Sequence, residues 1–145
     1  MNIIIAGDGK VGSMLTCQLS GEGHDVTVID CDDRILAATV DRYDVMAVHG
    51  NCASMDILMQ AGVKDADLLI AATSEDEVNL LCCTTAHALD FQISLALQRA
   101  AGCFFALRGG GNVHFLAGLQ DVRRAFRQLN GHVVGGGNLN RRASS

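Results

Sequence analysis

Gly7-Asp8-Gly9-Lys10-Val11-Gly12 follows the apolar run at residues 2–6 and leads directly into a stretch where Val11, Met14, Leu15 and Leu19 recur at helical spacing. A strand, a glycine-rich turn and a helix in that order constrain a chain severely. The first glycine permits the tight turn, the second lets a phosphate approach the backbone, and the third allows close helix-to-strand packing. Residues 2–6 are apolar on both faces, as a strand buried in a parallel sheet requires. A second strand is predicted at residues 25–29, with Gly21 as the helix stop between them, so the opening segment reads as one β-α-β unit.

The alternation continues. A short helix is predicted around Ile35, Leu36, Thr39 and Val40, a strand at 45–48, and a helix opened by Ser54 and stopped by Gly62. The two-sided apolar run at 67–72 predicts a fourth strand. Ser74 stands three residues before Glu77, the spacing of a capping box, ahead of a helix over about 75–89. Strands alternating with helices imply a parallel sheet with right-handed crossovers, hence a single α/β domain of the Rossmann-like, doubly wound class.

Beyond Leu89 the composition changes. Residues 1–89 hold 14 acidic and 4 basic side chains, residues 90–145 hold 2 and 7, so the segments carry net charges of −10 and +5. Residues 91–97 alternate like a strand, 113–116 read as another, and Phe115, Leu119, Val122, Phe126 and Leu129 form a helical apolar stripe with Arg123, Arg124 and Arg127 on its solvated face. The expected organisation is a nucleotide-binding domain over 1–130 and a flexible tail over 131–145. The apolar start lacks the features of a signal peptide, and no apolar stretch approaches the roughly 18 residues of a membrane span. The overall charge of −5 does not suit a nucleic-acid-coating surface.

Chemistry concentrates at the ends of the strands. Asp30, 18 residues beyond Gly12, stands where a carboxylate accepts ribose hydroxyls, favouring NAD(H) or an adenosine ribose over the 2′-phosphate of NADP. The glycine loop, with Gly7, Asp8, Gly9, Lys10, Val11 and Gly12, is the phosphate cradle, and the N-terminal N–H groups of its helix supply positive potential. Lys10 reads equally as a phosphate contact and as a solvated lysine. Cys31 adjoins Asp30, Asn51, Cys52 and Ser54 follow the third strand, and Thr73 and Ser74 follow the fourth, all at the carboxyl edge where ligands bind. Ser54 and Ser74 also read as helix caps. The six cysteines have no metal-ligand spacing, and Cys82-Cys83 reads as a pair of small core residues rather than a redox centre. An NAD-dependent oxidoreductase fragment is the rival reading, but the five scattered histidines offer no catalytic set.

With these stretches in view, residues 1–89 resemble the N-terminal nucleotide-binding domain of the Trk-type potassium-uptake regulators, the RCK or KTN family. The resemblance rests on Ile-Ile-Ile-Ala-Gly-Asp-Gly-Lys-Val-Gly, Gly-His-Asp-Val-Thr-Val-Ile-Asp, Gly-Asn-Cys-Ala-Ser and Ala-Asp-Leu-Leu-Ile-Ala-Ala-Thr-Ser-Glu-Asp-Glu-Val-Asn-Leu, in that order. It implies a non-enzymatic gating module that binds NAD(H), or ATP or ADP, forms homodimers or rings, and sits at the cytoplasmic face of the cell membrane through a potassium channel or transporter subunit. By the same resemblance Gly7, Gly9 and Gly12 hold phosphates, Asp30 holds the ribose, Asn51, Cys52 and Thr73 line the adenine or ribose side, and Asp76 and Asn79 shape that edge. Arg99 would approach the phosphates if 94–99 is the family's fifth strand. That strand ordinarily leads to Asn-Pro-Glu, and this chain has no proline. Two readings of residues beyond Leu89 therefore stand side by side: diverged family sequence, or a frameshift, deletion or fusion. Either way the chain is expected to be a lone N-terminal module without a ligand-sensing C-terminal domain.

Overall fold

A computed structural model describes residues 1–89, 91 and 93–98, together with the backbone of strands 103–108 and 112–116. The element order is β1 (Asn2–Ala6), α1 (Lys10–Gly21), β2 (Asp25–Asp30), α2 (Asp33–Arg42), β3 (Met46–His49), α3 (Met55–Gln60), a 3-10 turn (Val63–Asp65), β4 (Leu68–Ala71), α4 (Asp76–Ala88), β5 (Ile93–Gln98), β6 (Cys103–Arg108) and β7 (Asn112–Leu116). These strands form one sheet in the order β3-β2-β1-β4-β5-β6-β7. The first five are parallel, with Ile4 of β1 paired to Thr27 of β2 and to Leu69 of β4. Strands β6 and β7 add an antiparallel edge.

The two-residue period of the strands divides the core into two layers. Ile3, Ile5, Val26, Val28, Leu68 and Ile70 pack with Leu15, Leu19 and Leu36 of α1 and α2. Ile4, Ala6, Ile29, Leu69 and Ala71 point the other way, onto Leu58, Cys82, Cys83 and Ala86 of α3 and α4. Both faces of β1 and β4 are thereby covered, which is why their sequences are continuously apolar.

Several expectations shift locally. Helix α1 ends at Gly21 as predicted, and the left-handed turn that follows it falls at Gly23, whose φ of +81° a residue with a Cβ seldom adopts. Gly62, also at +81°, ends α3 as predicted. The apolar stripe of α2 is narrower than expected, for Leu36 and Thr39 are buried while Ile35 and Val40 are exposed. Helix α4 starts after Glu75 without a side-chain cap bond, so the Ser74–Glu77 capping box does not form. Strand β6 was not predicted, whereas β7 falls on the strand expected at 113–116, so Phe115, also counted as the first position of the helical stripe, lies in a strand. The rest of that stripe and the tail lie outside the described residues.

Candidate functional site: a cleft at the sheet's switch point

From β1 the chain winds outward through β2 and β3, then crosses to β4 on the other side of β1. The carboxyl ends of β1 and β4 part at this reversal, and ligands of doubly wound sheets enter there. The cleft encloses about 540 Å³ and takes its walls from Gly7, Gly9, Asp30, Cys52, Thr73 and their neighbours.

One wall is backbone. Gly7 turns sharply at φ +97°, its N–H donating to Ile29 O at 2.7 Å, and a Cβ there would stand 2.8 Å from Thr73 Cα. Gly12 is tighter still, because a Cβ would fall 1.7 Å from the Gly7 carbonyl oxygen. The third glycine therefore accommodates the first glycine's own carbonyl more than the strand at large. Gly9 precedes α1 and faces open space, with nothing within 4 Å of a Cβ. Helix α1 has no side-chain cap and no acid in its first turn, which leaves its positive end open to an anion. Asp30 closes this wall. The Asp8 N–H donates to its Oδ2 at 2.7 Å and the Asp32 N–H to its Oδ1 at 2.9 Å, fixing the carboxylate while leaving acceptor capacity on both oxygens.

The opposite wall is held by one side chain. Asn79, fully buried on α4, accepts through Oδ1 from the Thr73 N–H at 2.8 Å and from the Thr73 hydroxyl at 2.7 Å. Its Nδ2 donates to Leu97 O at 2.8 Å and to Thr73 O at 3.3 Å, tying the loop after β4 to β5. Between the walls, Gly50 donates its N–H to Asp30 O at 2.9 Å, and a Cβ there would strike Ile57 Cδ1 at 2.4 Å.

Residues 3–98 match the family model described as the TrkA-N domain. The chain belongs to the TrkA-N domain family. It is 42% identical over 89 residues to the Trk system potassium uptake protein TrkA of Vibrio alginolyticus, covering 61% of this chain and 19% of that protein. It is 40% identical over 114 residues to the protein of the same name from Halomonas elongata, covering 79% and 25%. This chain thus spans a quarter or less of the length of these relatives. Among solved structures, the TrkA-N domain of the inner membrane protein ybaL from Escherichia coli is 26% identical with a TM-score of 0.58, covering 63% of this chain and 68% of that one. The Shewanella denitrificans Kef CTD in AMP-bound form is 29% identical with a TM-score of 0.53, covering 61% and 52%.

In this TrkA-N domain the expected site residues separate into groups. Gly7, Gly9, Asp30, Cys31, Asn51, Cys52, Thr73 and Ser74 line the cleft together. Asn51 is exposed, its Oδ1 accepting from Ala53 N–H at 2.9 Å, while Ser54 stands at the start of α3 without a cap bond. Lys10 is exposed and Val11 packs against the core layer beneath α1, so neither side chain lines the cleft. Asp8 turns away as well. Its side chain, 3% exposed, accepts the Thr39 hydroxyl from α2, and its other oxygen is unpartnered. Burial pushes the Asp8 carboxyl above its ordinary range, the Thr39 bond opposes this, and the Asp30 charge adds to it. Arg99 lies outside the described residues. No Lys or Arg stands among the described residues of the cleft lining, and of His24, His49 and His87 none lines it.

Thr39 was missed as a polar partner because its place in an apolar pattern reads as core. Asn79 carried a readable signal: with Cys82, Cys83 and Ala86 it falls on one helical face, where a buried amide needs partners.

Proposed function

We propose that this TrkA-N domain binds an adenine nucleotide in the cleft, NAD(H) in preference to ATP or ADP, and serves as the regulatory module of a Trk-type potassium uptake system. The observation that carries the nucleotide reading is the pairing of a backbone-fixed Asp30 carboxylate with the open face at Gly9 and the uncapped start of α1. A ribose diol donates to the two Asp30 oxygens, and the pyrophosphate passes over Gly9 to the first N–H groups of α1. A 2′-phosphate would be forced against the Asp30 carboxylate, which favours NAD(H) over NADP(H). Asn51, Cys52, Thr73 and Ser74 flank the adenine and ribose side, and Arg99 is assigned to the phosphates from the family resemblance alone.

The regulatory part rests on the names of the relatives and on the chemistry of the cleft, whose described lining offers recognition groups and no acid–base pair. In this reading the domain works as a homodimer or ring beneath a membrane channel or transporter subunit, on the cytoplasmic side. No helix among the described residues is long and apolar enough to cross a membrane. Nucleotides with different phosphate charge interact differently with the open end of α1, and a ligand shifts an assembly only by its differential affinity for two arrangements. The test is solution scattering of the purified chain with NADH and with ATP. A change in assembly dimensions that differs between the two supports gating, whereas binding of both with identical profiles contradicts it.

A further inference from the structure

Helices α1 and α2 border a second open groove of about 870 Å³, larger than the cleft at the switch point and within the range of small-molecule sites. Its walls are helical faces: Met14, Cys17 and Gln18 on α1, and Ile35, Ala38 and Thr39 on α2. Met14 and Ile35 belong to the apolar stripes expected to be core, yet they are 46% and 39% exposed and lend their surface to this groove. Asp8 lines it too, although only 3% exposed. The Thr39 hydroxyl donates to Asp8 Oδ2, while the equally buried Oδ1 has no partner among the described residues. A buried carboxylate oxygen without a donor is costly, and a ligand that brings one recovers that cost.

We propose that this groove binds a small organic ammonium, a primary amine on an apolar body, with its N–H donors on Asp8 Oδ1 and its stem on Met14 and Ile35. Three features select that chemistry. The free oxygen accepts and does not donate, so the head of the ligand must carry hydrogens. The Asp8 N–H is bonded to Asp30 Oδ2 at 2.7 Å, which brings a second carboxylate close and makes positive charge favourable. Burial of Oδ1 demands a compact head, which a primary ammonium is and a trimethylated one is not. Two arginines of α2 also stand in the lining and oppose a cation. Arg34 is engaged by Asp32, Nε to Oδ1 at 3.5 Å, and both Arg34 and Arg42 are exposed, so solvent screens them more than it screens Asp8. The site is separate from the proposed nucleotide site, since Ile35 is the one described residue that lines both cavities. Asp8, placed by the sequence in the phosphate loop, thus serves the neighbouring groove with its side chain.

The experiment titrates the nitrogen-15-labelled full chain, without nucleotide, with hexylamine and follows the backbone amide shifts. Hexyltrimethylammonium, which keeps the charge and lacks donors, and hexanol, which keeps a donor and lacks charge, are titrated in parallel. The expected result is saturable movement of amides along the groove, Cys17, Ala38 and Thr39 among them, with both controls weaker by roughly tenfold or more. Asp8→Asn should weaken hexylamine by a similar factor. Ala38→Phe, at an exposed position of the wall, fills the groove without touching Asp8 and should abolish binding, which keeps the test decisive should Asp8→Asn fail to fold. Equal binding of hexyltrimethylammonium would mean mere attraction to an acidic surface, and equal binding of hexanol mere apolar contact; either overturns the proposal. So does an absence of saturable shifts in the groove, or hexylamine binding that survives in Ala38→Phe or in folded Asp8→Asn.

Discussion

The glycine-loop wall of the cleft and the Thr73 wall facing it are rigid for opposite reasons. At the loop, stiffness comes from the absence of side chains, since Gly7 and Gly12 let two backbone segments touch where no Cβ fits. Across the cleft it comes from the presence of one side chain, Asn79, which satisfies the Thr73 backbone and hydroxyl and reaches β5. The first wall leaves the N–H groups at the start of α1 open, and the second is consumed in holding itself together. Under the proposed nucleotide reading, phosphate recognition falls on the first wall and support on the second, and mutations should sort accordingly.

Gly12→Ala should have the largest effect, because the added carbon collides with the Gly7 carbonyl, which has no flexible end to yield. A loss of at least about 3 kcal/mol is expected in urea unfolding, at the upper end of overpacking costs. Gly9→Ala is its counterpart. It should change stability by less than about 0.5 kcal/mol yet weaken nucleotide binding, since the methyl enters only the open space. Equal destabilisation by both substitutions would break the account of the loop.

Asn79→Ala should come next, costing about 2–3 kcal/mol through unpaired buried groups at Thr73 and Leu97. If hydrogen exchange showed β5 still protected after this change, the tie between α4 and β5 would not be what secures that wall. Asp30→Ala should act on binding more than on folding. Loss of hydrogen bonds to a charged group is worth about 1.5–3 kcal/mol, hence roughly 10- to 100-fold in NADH affinity by titration.

The smallest effect concerns Asp8. A carboxyl whose folded value is raised holds its proton more tightly in the native state, so its stability contribution is complete below the unfolded value of 3.8 and is lost as pH rises through the folded one. The urea midpoint of the wild-type chain should therefore fall relative to Asp8→Asn as pH rises from about 3.8. A difference that stays constant with pH would show that Asp8 does not carry the shift.

The glycine wall and Asp30 were legible in the sequence because their chemistry depends on spacing: a turn, a helix start and a strand end recur at fixed offsets. Asp8 shows the limit of that logic. Its place inside the motif suggested a ligand contact, but direction is decided by a partner 31 residues away, Thr39. Asn79 was implied by the family resemblance to shape the cleft edge, whereas its partner Leu97 became visible only once β5 lay beside β4. Strand β6 was hidden because it starts at Cys103, close after the end of β5 at Gln98, which breaks the strand–helix alternation that exposed the first four strands. Cys52 and Cys82 likewise share a core layer only through the packing of α3 and its loop on α4.

The most direct test of the central claim, that the cleft is an NAD(H) site set by Asp30, is calorimetric titration of the purified chain with NADH and NADPH in parallel. Saturable binding of NADH, with NADPH weaker by an order of magnitude or more, is the result this account predicts. Equal affinity for the two, or no binding of NADH to a folded chain, would contradict it.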